Sequence, residues 1–240
     1  MKRLEIGRLP QLPFDMTEAL NQLRINLSFC GDSVKTIMVT SSVPNEGKSF
    51  LVMQLWKMMA ELGTPTLLID CDLRKSEFRN KYNIRSSEPI TGVAHYLAGK
   101  TTLDDAIYQT NVPNGYMIPV NTTVANPSIL LENERFGRMI RDSRERFGCV
   151  LIDTPPLGNV ADGLKIATHC DGTVLVVRSG ETPRKLVENS VQLLHRTETP
   201  LLGVVLNRAD IGSKSNAYYR RYYRSGYYYN GYGYGPKKNK

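Results

Sequence analysis

Five short apolar runs set the limits on what this 240-residue chain can fold into: "KTIMVTSS" (35–42), "PTLLIDCD" (65–72), "CVLIDTPP" (149–156), "GTVLVVRSG" (172–180) and "LLGVVLNR" (201–208). Each is rich in Val, Ile and Leu and too short for a core helix. None alternates apolar with polar, so each is a strand buried on both faces. Segments with helical spacing separate them. Strands of that kind alternating with helices define a parallel sheet covered on both sides. The predicted fold is therefore α/β, a mostly parallel sheet with helices on both faces.

The helices are placed by periodicity and end signals. "MTEALNQLRINLSF" (16–29) carries Leu20, Leu23, Ile25 and Leu27, with Thr17 as its N-cap. A second helix runs over 47–63 and stops at Gly63. Others are predicted over 128–146, 160–168 and 183–196. Residues 1–15, with two prolines, read as an irregular leader. Residues 76–127 break the rhythm and read as connecting helices and loops at the strand ends, where α/β sheets bind ligands. From Ser213 the pattern stops, and low complexity with high polarity predicts a flexible tail over 213–240 behind a domain of 16–212.

Charge divides the chain the same way. The net charge is +8, but no acidic residue follows Asp210, and Lys214, Arg220, Arg221, Arg224, Lys237, Lys238 and Lys240 lie beyond it. That leaves +1 for residues 1–213, so the pI does not describe a body built to bind nucleic acid. "MKRLEIGRLPQLPFD" has no apolar stretch of the kind a secretory signal needs, and no run approaches the ~20 residues of a membrane span. Cys30, Cys71, Cys149 and Cys170 show no metal-ligand spacing and are expected to be reduced, mostly core residues. His95, His169 and His195 are scattered and read as structural or surface residues.

The first chemical motif is the loop "SVPNEGKS" (42–49) between a strand and a helix. It fits G-x-x-x-x-G-K-[ST] with Ser42 at the first glycine. Such a loop, here including Asn45 and Glu46, wraps phosphates with inward backbone N–H groups, and Gly47 permits close approach. Lys48 reaches the β and γ phosphates, Ser49 offers a hydroxyl to Mg²⁺, and the helix entering through Phe50 aims its positive end at the anion. The loop implies ATP with Mg²⁺.

Two carboxylate-ended strands complete the set. "VLIDTPP" places Asp153 at the sheet's carboxyl edge, where it can hold a water of the metal shell. "LLIDCDLRK" ends in Asp70 and Asp72, which in extended chain project from one face. A hydrolase needs only a positioned water. A phenol with pKa ~10 gains from a base that takes its proton. Arg74 and Lys75 follow, offering positive charge to phosphate or to a partner surface.

These motifs, their order and a tyrosine-rich end together resemble the bacterial tyrosine kinases, in their Gram-positive form of a separate cytoplasmic catalytic subunit. The resemblance covers about residues 16–234. It implies a P-loop NTPase-like fold and these roles: Lys48 and Ser49 on phosphates and Mg²⁺, Asp153 and Asp72 at the metal, and Asp70 as the base, with Asp70 and Asp72 interchangeable at this stage. Asn207 with Arg208, at the end of "VVLNR", would contact the nucleotide base. The acceptors would be Tyr218, Tyr219, Tyr222, Tyr223, Tyr227, Tyr228, Tyr229, Tyr232 and Tyr234, nine of the seventeen residues from 218 to 234. The resemblance further implies a transmembrane adaptor that recruits the cytoplasmic subunit to the inner face of the membrane, a phosphotyrosine phosphatase, and a role in capsular or exopolysaccharide synthesis or export. It also implies a homo-oligomeric ring when unphosphorylated, through E-x-x-R-x-x-R in the first helix. Glu18 and Arg24 match that motif, but Asn21 takes the middle place. Ile129 in "ANPSILLEN" stands where the family pattern has an acid.

The alternative is a ParA/MinD-like switch ATPase whose tail binds nucleic acid or a partner, since Tyr stacks on bases and Arg meets phosphate. Those ATPases carry a lysine early in the loop, where this chain has Val43. Nucleic acid is accordingly not the expected partner.

Overall fold

The computed structural model describes residues 2–122, 124, 126–158 and 161–209. The chain divides into two units, Met1–Asn207 and Arg208–Lys240. In the second unit only Arg208 and Ala209 are among the described residues, and the tyrosine cluster lies outside them.

The strands are β1 (Lys2–Ile6), β2 (Thr36–Ser41), β3 (Thr66–Asp70), β4 (Ile84–Arg85), β5 (Tyr108–Thr110), β6 (Gly115–Ile118), β7 (Cys149–Asp153), β8 (Gly172–Arg178) and β9 (Leu201–Asn207). The helices are α1 (Phe14–Ser28), α2 (Lys48–Glu61), α3 (Phe78–Lys81), α4 (Val93–Leu97), α5 (Leu103–Ala106), α6 (Pro127–Leu131), α7 (Glu134–Arg146), α8 (Asp162–Ala167) and α9 (Arg184–His195). Among the described residues they build one nine-stranded sheet, ordered β4-β1-β5-β6-β3-β7-β2-β8-β9. The six strands from β6 to β9 in that order are parallel, and β5 turns back antiparallel to β6.

The all-apolar strands explain the layering. Side chains alternate across a strand, so Leu67 and Ile69 enter the core under α4 to α9, while Leu68 enters the core under α1 and α2. The same division separates Val150 and Ile152 from Leu151. Trp56 centres the second core. It is fully buried, and its indole N–H donates to the carbonyls of Thr66 and Tyr116 at 3.1 Å each. A Cβ at Gly115 would stand 2.6 Å from the Trp56 ring, so only glycine lets α2 lie this close to β6.

Four expectations are corrected. The leader is not irregular: in "KRLEI", Leu4 and Ile6 are buried, and β1 pairs with β5 and β4. Its charged alternate residues mark a strand near the sheet edge. The stretch 76–127 also contributes sheet. Val112–Asn114–Gly115 turns the chain, with Asn114 at φ 58°, into the β5–β6 hairpin. Thr17 does not cap α1. The helix starts at Phe14 behind Pro13, whose φ of −56° is preset for helix, and the Thr17 hydroxyl donates to Pro13 O from inside the first turn. The helix predicted over 128–146 is two, because Asn133 caps α7 by accepting from Arg135 N at 2.9 Å.

At the amino ends of β2 and β8, Asp171 ties three elements. Its carboxylate accepts from Lys35 N and Thr36 N at 2.9 and 2.8 Å and from Arg144 Nε at 3.0 Å. Partial burial alone would raise its pKa, but these donors hold it below the usual carboxylate value. A depressed folded pKa contributes stability that is present above ~3.9 and is lost as pH falls through the folded value. Asp171→Asn is expected to cost about 1.5–3 kcal/mol at pH 7. The gap from wild type should close below pH ~4, read as thermal midpoints across a pH series.

Candidate functional site

The phosphate loop joins β2 to α2 at the carboxyl edge of the sheet. Two left-handed residues, Asn45 at φ 66° and Gly47 at φ 94°, coil its backbone into the concave form that presents successive N–H groups. Glycine serves at 47 for a second reason: a Cβ there would stand 2.1 Å from the Asn207 amide nitrogen. That nitrogen donates to Glu46 O at 2.8 Å, so β9 braces the loop from outside. Arg208, next in the chain, is exposed at φ 55°. Ser42 is buried, its carbonyl accepts from Gly158 N, and its hydroxyl has no partner among the described residues.

Glu46 is 1% exposed. Its Oε2 accepts from Val43 N at 2.8 Å, and its Oε1 accepts from Arg178 N at 3.1 Å and from the Thr182 hydroxyl. Its carboxylate is thus a brace from the loop to β8 and to the turn before α9. Glu46→Gln replaces one acceptor oxygen with a donor facing N–H groups. It is expected to cost about 1–3 kcal/mol and to weaken nucleotide binding in parallel, measured by denaturant unfolding and ADP titration.

Lys48, Ser49, Asp72 and Asp153 converge. The Lys48 ammonium lies 3.5 Å from Asp72 Oδ2, 3.5 Å from Asp153 Oδ2 and 3.2 Å from the Ser49 hydroxyl. Ser49 donates to Asp153 Oδ2 at 2.8 Å. Burial would lower the lysine's pKa, but Asp153, Asp72 and Asp70 outweigh it and hold the pKa above the ordinary value. Burial pushes Asp153 up to about 6, against Lys48 and Ser49. Asp153 Oδ1 is buried and has no hydrogen-bond partner among the described residues.

That oxygen, the Ser49 hydroxyl and the Asp72 carboxylate form a hard-oxygen donor set of the kind Mg²⁺ takes. Among the described residues no three His, Cys, Asp or Glu side chains form a self-sufficient metal cage. Mg²⁺ typically uses one or two carboxylates plus substrate phosphates, so this set fits it.

Asp70 stands in register with Asp153 on the neighbouring strand. It is 1% exposed, and burial, reinforced by Asp153 and Asp72, pushes its pKa up to about 8. The Ser76 hydroxyl donates to its Oδ2, and Asp72 N donates to its Oδ1 at 3.2 Å. The extended-chain argument for a shared face therefore stops at Asp70. The chain curls there, sending Asp72 to Lys48 and leaving Asp70 under Ser76.

Some contacts were not legible in the motifs. Arg74 is not a free positive charge: its Nε donates to buried Asp162 at 2.7 Å, and Ser128 donates to the same carboxylate at 2.7 Å. This cluster clamps the segments after β3 and β7 to the start of α6. Phe50 is half-buried, with the Lys81 ammonium 5.9 Å from its ring centroid. Ile129 is 67% exposed on α6. On α1, Asn21 donates to Glu18 at 3.3 Å, and Arg24 is half-buried with Nε unpartnered among the described residues.

Sheet order, loop and helix N-terminus define a nucleotide-binding P-loop α/β protein. Residues 34–182 match a family model described as an AAA domain. A tyrosine-protein kinase CpsD of Streptococcus agalactiae is 36% identical over 212 residues, covering 88% of this chain and 91% of that protein. The kinase domain of the Escherichia coli tyrosine kinase ETK superposes with a TM-score of 0.74 at 27% identity, covering 86% of this chain and 85% of that one. The septum site-determining protein MinD of Pyrococcus horikoshii gives a TM-score of 0.63 at 21% identity over 73% of this chain and 72% of its own, a likeness of fold alone. The chain belongs to the bacterial tyrosine kinases. Among the described residues no helix is long and apolar enough to cross a membrane.

Proposed function

We propose that the protein is an ATP-dependent protein-tyrosine kinase whose acceptors are the tyrosines of its own residues 218–234. The observation that carries this reading is Asp70. It is a second buried carboxylate beside the Asp153 site, and it can take the proton that a phenol must lose as it attacks. Its pKa, raised to about 8, stands closer to the phenol's ~10, and the base acts from the ionised form, whose share grows as pH rises towards that value.

In the net reaction the tyrosine oxygen bonds to the γ phosphorus of ATP, the bond from that phosphorus to the β–γ bridging oxygen breaks, and ADP leaves with the electron pair. Asp70 takes the phenolic proton. Lys48 and the loop N–H groups hold the phosphates. Ser49, Asp153 and Asp72 would hold Mg²⁺, which would neutralise phosphate charge. Asn207 and Arg208 flank the nucleotide base.

Family membership supports the setting: regulation of capsular or exopolysaccharide synthesis or export, a transmembrane adaptor, a phosphatase that resets the tail, and recruitment to the inner face of the membrane. A ring of copies would use the α1 face with Glu18 and Arg24. Each phosphate adds about −1.5 to −2 charge, so about four cancel the tail's seven positive charges and weaken such a ring. The test is the fate of γ-labelled phosphate. A kinase leaves label on protein tyrosine, and label appearing only as inorganic phosphate would sink the proposal.

A further inference from the structure

A cavity of about 360 Å³ is lined by Arg79 on α3, by Arg85 on β4, by Ser86 and Glu88 after it, and by Asn121 beyond β6. It begins three residues past Ser76, whose hydroxyl is bonded to Asp70. Asn121 lies beyond the carboxyl end of β6, the strand next to β3. Arg79 and Asn121 thus follow the carboxyl ends of two neighbouring strands, the end of the sheet at which Asp70 stands.

Its two guanidinium groups are held by neutral oxygens. Arg79 donates to Asn121 Oδ1 at 2.5 Å, and Asn121 is itself fixed by donating to Ile90 O at 2.9 Å. Arg85 donates to Asn83 Oδ1 at 3.0 Å. Among the described residues the ion-paired arginines are Arg74, Arg144, Arg146, Arg178 and Arg184, so neither cavity arginine has a carboxylate partner. Two oriented, un-neutralised guanidiniums facing one cavity match the acceptor oxygens of a phosphate monoester. Glu88 at the rim opposes them. Arg85 and Ser86 also line a second trough of about 560 Å³ carrying Arg3 and Glu5.

We propose that this cavity is a phosphotyrosine-binding subsite, which holds an already phosphorylated tyrosine from the tail of a second copy while a neighbouring tyrosine is offered to Asp70. This rests on the kinase reading for its purpose. Charge selects the occupant. The unmodified tail has seven basic residues and no acid after Asp210, so the two arginines repel it. One phosphate adds about −1.5 to −2 charge at a single point and reverses that locally. Tyrosines are clustered in "YYRRYYRSGYYY", so a tail carrying its first phosphotyrosine has unmodified tyrosines within a few residues of it. The tail would then be modified slowly once and faster afterwards.

The test uses the dephosphorylated full-length chain without nucleotide and two fluorescent peptides with the sequence of residues 216–229, one carrying phosphate on Tyr223. Fluorescence anisotropy should show the phosphopeptide bound about tenfold more tightly. Arg79→Gln with Arg85→Gln should reduce that preference to within about twofold, and Glu88→Gln should raise it about two- to threefold. Arg138→Gln with Lys185→Gln, exposed positions on α7 and α9, should leave it unchanged. If the paired arginine variant melts early, Arg85→Gln alone should still cut the preference about threefold. Equal binding of the two peptides by wild type, or a preference that survives loss of the arginines, overturns the subsite. Because binding is read without ATP, a failure of phosphoryl transfer would sink the kinase reading separately.

Discussion

Lys48→Met is expected to abolish phosphotyrosine formation, lowering the rate at least about 10²–10³-fold. The lysine is the cation that faces Asp72 and Asp153 at 3.5 Å each, and its stem is already largely buried. Methionine can fill the volume of that stem. What is lost is the charge that balances the two carboxylates and that would meet the phosphate oxygens of a nucleotide. Both losses act in one direction. Nucleotide must then approach Asp72 and Asp153 without the lysine, so affinity for ATP should fall along with the rate. Quantitative phosphotyrosine blotting and nucleotide titration on the same preparation check the two parts.

Asp70→Asn is expected to separate binding from chemistry. Removing a general base typically costs about 10²–10⁴ in rate. The amide keeps the shape of the carboxyl: its oxygen can still accept from Asp72 N, and its NH₂ can donate to the Ser76 hydroxyl oxygen once that hydroxyl turns. Burial already favours the neutral form at this position, raising the carboxyl to about 8, so the fold should tolerate a neutral amide. ADP affinity should stay within about twofold of wild type while phosphoryl transfer to tyrosine collapses, because Asp70 contacts neither Lys48 nor Ser49 by hydrogen bond. Steady-state rates with an external tyrosine peptide, beside ADP titrations, make the comparison. An equal loss in Asp72→Asn with Asp70→Asn near normal would reverse the two assignments.

Strands β2, β3, β7 and β8 were legible because burial on both faces leaves them almost wholly apolar, whereas β9, equally apolar, ends the sheet with Val204 and Leu206 exposed and is not the doubly buried strand expected. Val39, Leu68, Leu151 and Ile152 leave no other reading, and the motifs sit at their ends. Strands β1, β4, β5 and β6 were hidden for the opposite reason. Each has two to five residues, several charged or polar, and each is held by neighbours distant in sequence. The loop lysine, serine and three aspartates were legible by type and spacing. The bracing roles of Glu46, Ser76 and the Arg74–Asp162–Ser128 cluster were not, since those contacts join residues 6 to 136 apart that no local pattern links.

The central claim is that this P-loop site delivers phosphate to tyrosine and not to water. The most direct measurement is phosphosite mapping by mass spectrometry on the full chain incubated with Mg²⁺ and ATP, beside Lys48→Met treated identically. Phosphate on tyrosines between Tyr218 and Tyr234 in the first and none in the second is the predicted result. Turnover of ATP to ADP and inorganic phosphate, with every one of those tyrosines unmodified, would contradict it.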